Sequence, residues 1–300
     1  MLETSQALLI ATTVLILFAF VGYVSATIFA RRAVKERSRV MAGAGGPDEM
    51  WAEEPVRDEK AALKDSKLLR GSSLLVKVAL IALTVSMALR AMSTGHAPFA
   101  NQYEFAVSFA WGMILAQVLF DWRYKVRALA LAVLPVILAM LIYAANLSYE
   151  ASPLVPALQN SPLLTIHVFS AALAYGAAAV GFGAAVMYLI APKIKWRGWP
   201  KRETLDEIGY ASVVATFPLL TIMIVLGAIW ANIAWGRYWS WDPKETAALV
   251  TWLVYGGYLH ARVTAGWRGD RSAWLLVLGF AAILFTYFGN YFFGGMHAYA

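Results

Sequence analysis

Residues 7–30 read ALLIATTVLILFAFVGYVSATIFA, a run without a charged side chain. A helix of about 20 apolar residues is long enough to cross the roughly 30 Å of hydrocarbon in a bilayer. Arg31 and Arg32 follow this run directly. Because a signal peptide carries its positive charges before a shorter apolar run, we expect a retained transmembrane helix whose N-terminus lies outside the cytoplasm.

The rest of the chain has the same apolar character. Of its 300 residues, 60% are hydrophobic and 14% are charged, whereas a soluble domain is nearer half apolar and a quarter charged. Seven further apolar blocks lie at about 72–92, 105–120, 128–147, 163–191, 211–233, 246–265 and 273–293. The sequence therefore predicts an all-α, polytopic membrane protein with about eight transmembrane helices.

Positive charge alternates between the loops that join these blocks. The loops rich in lysine and arginine are 31–71, 121–127, 192–207 and 268–271. The opposite loops carry only Arg90, Arg237 and Lys244. The positive-inside rule then places both termini outside the cytoplasm, on the outer (periplasmic) side. We expect the membrane to be the plasma (inner) membrane. The basic loops that set this orientation also account for the net charge of +7, so we expect no nucleic-acid partner.

The chain divides into two parts in this scheme. Residues 1–71 comprise the first helix and a long cytoplasmic loop with basic and acidic stretches, and residues 72–300 form a seven-helix membrane domain. Glycine, alanine and proline at 42–47 indicate a flexible linker within the loop.

An aromatic segment follows the sixth apolar block. Residues 230–245 read WANIAWGRYWSWDPKE and hold four of the 12 tryptophans. Such residues commonly form an interfacial belt, but flat rings crowded together could instead hold a large, flat ligand, with Arg237 and Lys244 pairing its carboxylates. Composition leaves both interpretations open. Asp242 and Glu245, on either side of Pro243, also predict a capping box at a helix start.

The pattern W-G-x-x-W-x-W-D-x-x-E over 235–245 resembles the tryptophan-rich WWD signature of haem-handling membrane proteins. That superfamily includes CcsA (ResC) of the system II cytochrome c synthase and CcmC and CcmF of system I. The resemblance runs from about Gly95 to the C-terminus. The CcsA branch fits best, because CcmC-type proteins have about six spans and CcmF-type proteins are much longer. Segments 95–104 and 290–300 also resemble the outer loop and C-terminal histidine segment of CcsA.

The resemblance implies haem transport and presentation at the outer face, with covalent attachment to apocytochrome c, by one subunit of a cytochrome c synthase (haem lyase). It implies haem b as the transported substrate. The expected partners are a CcsB (ResB)-like membrane subunit, an apocytochrome with a Cys-x-x-Cys-His motif, and thiol-reducing proteins of the outer compartment. The residues it assigns to the haem platform are Trp235, Gly236, Tyr238, Trp239, Trp241, Asp242 and Glu245.

Histidine is the expected iron ligand, because the chain contains no cysteine and only four histidines. His167 lies just inside the fifth apolar block and His297 in the outer tail. By itself each could be an ordinary residue, the first hydrogen-bonded between helices and the second solvated. The resemblance assigns them as the two axial ligands of an outer haem, an arrangement of opposed neutral imidazoles.

The other two histidines have different expected roles. His260 lies in the inner half of the membrane, where a histidine is costly and usually functional, and the resemblance assigns it to a second, transmembrane haem. The partner is expected to supply the other inner ligand, with Met187 as a weaker candidate. His96, together with Asn101 and Glu104, is a candidate neighbour of the outer site.

Three other functions are compatible with parts of this pattern. A membrane haem b electron-transfer protein would use histidines at two depths, but it usually has paired histidines at both. A haem-delivery protein of the CcmC type would share the aromatic segment. A solute transporter would bind no haem.

Overall fold

The computed structural model describes residues 1–43 (backbone only for 33–43), 66–151, 154, 158, 162–194, 196, 198–289 and 292–297. These residues contain eight α-helices and no β-strand. The helices are α1 (Leu2–Gly43), α2 (Lys67–Thr94), α3 (Gln102–Tyr124), α4 (Ala130–Ala145), α5 (Pro162–Ile190), α6 (Arg202–Trp235), α7 (Pro243–Thr264) and α8 (Asp270–Phe288). Residues 44–65 of the predicted cytoplasmic loop 31–71 lie outside the described residues, whereas 31–43 continue α1 and are helix rather than loop.

Seven of these helices are long and apolar enough to cross a membrane. The exception is α7, which has 22 residues and carries Lys244 and Glu245 in its first turn and Arg262 near the other end. Because α7 packs against both α6 and α8, it belongs to the same bundle. The predicted all-α, multi-pass membrane fold is confirmed, and the third predicted block, short in the sequence, is a full helix of 23 residues.

Local sequence sets where several helices begin and end. The Ser66 hydroxyl accepts a hydrogen bond from the Leu69 N–H at the start of α2, and the Asn101 side chain accepts one from the Glu104 N–H at the start of α3. These are the side chains that satisfy otherwise unpaired amides in a first turn. Helix α6 ends at Gly236, whose φ of 72° is a left-handed conformation that glycine adopts at little cost.

The backbones of α3 and α5 lie in direct contact. An added Cβ atom at Gly112 would lie 2.1 Å from the Ala172 carbonyl oxygen, and one at Gly176 would lie 2.2 Å from the Gly112 carbonyl oxygen. The small residues of α5 therefore bring two helix backbones into contact, as is common between membrane helices.

The N-terminus and the C-terminal segment, residues 292–297, lie at the same end of the bundle. At the start of α1, Ser5 hydrogen-bonds Ser86, and the Gln6 side chain accepts a hydrogen bond from Tyr103 in the first turn of α3. The Lys244 Nζ atom lies 5.6 Å from the ring centre of Phe105, also in α3. The assignment of this end to the outer side of the membrane stays a prediction from the charge pattern.

Candidate functional site

A partly open cavity lies at this end of the bundle, lined by α3, α5, α6, α7, α8, the loop between α6 and α7, and the C-terminal segment. About 1140 Å³ of space, part of it open solvent, lies between its walls. Its aromatic lining residues are Phe105, Phe109, Tyr175, Trp230, Tyr238, Trp239 and Tyr287. Its ionisable lining residues include His167, Lys244, Glu245 and His297. A mainly apolar cavity with a few converging polar groups is the usual form of a ligand site.

His167 lies in the second turn of α5 and is one of the two predicted outer ligands. Its Nδ1 atom is 2.7 Å from the backbone carbonyl oxygen of Met223 in α6. A carbonyl oxygen only accepts, so Nδ1 carries the hydrogen and, in the neutral ring, Nε2 carries the lone pair. Metal-binding histidines usually have this arrangement, in which the second ring nitrogen donates to an oxygen.

His297 lies on the C-terminal segment and lines the same cavity. Its Nδ1 atom is 2.9 Å from the Asp242 Oδ1 atom, and its ring packs edge-on against Trp235 with centroids 4.9 Å apart. Burial lowers the pKa of His297, as does the positive charge of Lys244, whereas Asp242 raises it; the net direction is down. The ring is therefore neutral near neutral pH, with Nδ1–H directed at the carboxylate and the lone pair on Nε2.

Asp242 joins this histidine to the start of α7. Its side chain and that of Glu245 form the predicted capping box, which confirms that prediction. Burial acts to raise the pKa of Asp242, but hydrogen bonds from the Lys244 amide, from His297 and from the Met296 amide outweigh it and lower the pKa. A charged carboxylate therefore lies beside His297.

The aromatic segment does not form one surface. Tyr238 and Trp239 line the cavity, and Trp235 packs against His297 outside the lining. Trp241 is 69% exposed and has a left-handed backbone with φ of 60°. The rings of Trp239 and Trp241 lie nearly perpendicular to each other, with centroids 5.8 Å apart, so they do not form one flat face.

The two candidate carboxylate-binding cations also differ in position. Lys244 faces the cavity, beside the ring of Phe105. Arg237 is exposed and does not line the cavity. Lys244 is the better placed of the two to meet an acidic group on a bound ligand.

The predicted neighbours of the site lie beside the cavity. His96 lines an adjoining hollow, which shares Leu158 and Leu164 with the main cavity. Asn101 caps α3, and Glu104 is 1% exposed and forms an ion pair of 2.7 Å with the buried Arg90. Asn101 and Glu104 therefore hold the loop before α3 in place.

His260 lies far from the cavity, near the other end of α7. Its side chain is exposed on the surface of the described chain. Met187, the candidate second ligand within the chain, is 1% exposed in the bundle core. The two residues thus face different surroundings.

Sequence reasoning missed the residues of α6 that support His167. One of them is Gly227, where an added Cβ atom would lie 2.7 Å from the His167 Cε1 atom. The only signal in the sequence was a glycine inside an apolar helix, which often marks a close approach. The packing partner, 60 positions away, becomes visible only in the folded chain.

Comparison with known proteins places this architecture in a family. The family described as cytochrome C assembly protein matches residues 99–297, a range that covers most of the cavity and ends at His297. A protein of Guillardia theta named cytochrome c biogenesis protein CcsA is 36% identical over 258 residues, which are 76% of this chain and 84% of the relative.

Two further relatives have the same name. The one from Chlamydomonas reinhardtii is 37% identical over 239 residues, 75% of this chain and 67% of its own. The one from Synechococcus sp. (strain CC9311) is 35% identical over 266 residues, 76% of this chain and 87% of its own. The chain is thus a multi-pass membrane protein of the cytochrome c assembly class. Within that class, it belongs to the CcsA family.

Proposed function

We propose that this protein holds haem in the cavity, at the outer face of the plasma (inner) membrane, and presents it for covalent attachment to apocytochrome c. It would act as the CcsA-like subunit of a cytochrome c synthase. One observation carries the proposal: His167 and His297 line one cavity, and each donates Nδ1–H to an oxygen, which leaves the Nε2 lone pair for iron.

The cavity residues suit haem b as the transported substrate. The aromatic rings offer flat apolar surfaces to the porphyrin, and two neutral imidazoles suit a six-coordinate iron. Lys244 is the cation available to a propionate. Residues 72–300, which include all of these groups, would be the haem-handling domain.

Attachment requires each thiol of a Cys-x-x-Cys-His segment to add across a haem vinyl group. The sulfur loses its proton and bonds to one vinyl carbon, and the other vinyl carbon gains a proton. The protein contributes position and iron ligation, while thiol-reducing proteins of the outer compartment keep the cysteines reduced.

The substrate histidine then replaces one protein ligand, and His297 is the one suited to leave. It lies on a non-helical segment after α8, whereas His167 is fixed within α5 and packed against Gly227.

The exposed position of His260 supports a membrane partner. An uncovered histidine in the inner half of the membrane is costly, so a helix resembling part of CcsB (ResB) would cover it and supply the second ligand of an inner haem. Of the four histidines, only His260 is expected in the inner half of the membrane. This single histidine favours the scheme over a haem b electron-transfer protein, which would have paired ligands at both depths. The CcsA relatives favour it over a CcmC-type protein or a haem-free transporter.

The direct test uses the purified protein with its partner, loaded with haem and reduced. A peptide that contains Cys-x-x-Cys-His is added, and its mass is measured after denaturation. We expect a peptide with covalently attached haem, and none with a Ser-x-x-Ser-His control. Haem-loaded protein that never transfers haem to either peptide would contradict the proposal.

A further inference from the structure

We infer that Asp242 is the positioning residue for His297, and that it sets the direction in which this histidine presents its ring to iron. The inference deepens the proposed function and rests on it. Asp242 itself does not line the cavity, so it acts through the histidine.

Both oxygens of the Asp242 carboxylate are used. Oδ1 accepts hydrogen bonds from the Lys244 amide, at 3.0 Å, and from the His297 Nδ1 atom, at 2.9 Å. Oδ2 accepts one from the Met296 amide, at 2.7 Å. A single side chain, 6% exposed, thus links the first turn of α7 to two consecutive residues of the C-terminal segment.

Gly295 makes this close approach possible. An added Cβ atom at this position would lie 2.3 Å from the Asp242 Oδ2 atom and 3.1 Å from the Pro243 Cδ atom. The segment therefore lies directly on the start of α7. Trp235 and Trp230 contact the ring of His297, with centroids 4.9 Å and 6.0 Å away, so ring contacts and the carboxylate together fix its orientation.

The two histidines are supported in different ways. His167 is held by a helix and donates to a neutral backbone carbonyl. His297 has no helix of its own and donates to a carboxylate. A carboxylate that accepts the Nδ1 hydrogen makes the imidazole a stronger ligand and holds its orientation. The same hydrogen bond would return the ring to the iron after the substrate histidine has replaced it and the product has left.

The test is competition by added imidazole on the haem-loaded protein, followed in its visible spectrum. In Asp242→Ser, serine still caps a helix well but is too short to reach both Met296 and His297. We expect imidazole to displace His297 at a concentration about 10- to 100-fold lower than in the unmodified protein, the usual effect of losing such a support. Ser66→Ala removes the cap of α2 and should leave the competition unchanged.

A second background separates positioning from a general loss of stability. In His297→Ala, imidazole already fills the vacant position, so adding Asp242→Ser should cause no further change in imidazole affinity. If Asp242→Ser does not fold, Asp242→Asn serves instead, because it keeps the shape of the side chain and removes its charge. We expect this variant to have a higher midpoint potential of the haem and a higher affinity for added imidazole.

The possible failures are distinguishable. If His297→Ala leaves iron ligation intact, the proposed ligand pair is wrong and this inference is wrong with it. His297→Ala could instead remove a ligand while imidazole displaces His297 at the same concentration in the Asp242 variants as in Ser66→Ala. In that case only the role of Asp242 is overturned.

Discussion

The imidazole of His167 lies against the backbone of Gly227, so closely that an added Cβ atom would be 2.7 Å from Cε1 and 3.0 Å from Nδ1. One turn earlier in α6, the Met223 carbonyl accepts the hydrogen of the same ring. Helix α6 therefore provides both the space for this histidine and the hydrogen bond that orients it.

Substitution of Gly227 by alanine should weaken haem binding without removing a ligand. The added methyl group would push the ring of His167 away from Met223, and loss of such an orienting contact typically costs about 10- to 100-fold in metal affinity. Haem titration of purified Gly227→Ala measures the effect. Gly71→Ala is the matched control, because a Cβ atom there meets nothing within 4 Å. Equal haem affinity in the two variants would show that the contact does not matter.

Trp239 and Trp241 should differ in their effect on haem content. Trp239 lines the cavity, whereas Trp241 is 69% exposed. Trp239→Ala removes a flat apolar ring from the wall of the cavity, so it should purify with little haem and Trp241→Ala with much more. Haem per protein, measured after confirming equal membrane insertion, tests this. The reverse order would mean that the exposed ring turns inward when haem binds.

Lys244 should recognise the acidic edge of haem, and Arg237 should not. Methionine at position 244 keeps the length and apolar stem but removes the charge. We expect Lys244→Met to lose most of the preference for haem over its dimethyl ester, since the ester has no carboxylate to pair. Arg237→Met is the control on an exposed cation. If Lys244→Met still prefers haem over its dimethyl ester to the same extent, Lys244 does not bind the haem carboxylates.

His260 should matter only in the complex with the partner. The partner complex of His260→Ala should lose the inner haem and keep the one bound by His167 and His297. Haem stoichiometry with and without the partner measures this. Low-spin, bis-histidine haem at His260 in the chain purified alone would contradict the need for a second subunit.

Apolar runs of about 20 residues predict this fold well, because their length is governed by the membrane itself. They locate helix ends less well. Helix α6 begins at Arg202, earlier than the predicted 211, since its first turns are polar. Asp206 in those turns pairs with Arg262 of α7 at 2.6 Å, a contact that stabilises helix beyond the apolar part of the sequence.

The sequence predicts the site in part. The motif at 235–245 and the positions of the histidines indicate which residues to consider. Which nitrogen of His167 carries hydrogen depends on Met223, 56 positions away. The outward position of Trp241 depends on a left-handed backbone that its residue type does not favour. Such features arise from tertiary packing and cannot be predicted from local pattern.

The most direct test of the central claim is the electron paramagnetic resonance spectrum of the ferric, haem-loaded protein and of three histidine variants. We expect a low-spin, bis-imidazole signal in the unmodified protein and in His96→Ala, whose histidine lies in the adjoining hollow. His167→Ala and His297→Ala should each become high-spin and fail to mature cytochrome c, and added imidazole should restore the low-spin signal. A low-spin signal together with normal maturation in both variants would contradict the assignment of these histidines to the iron.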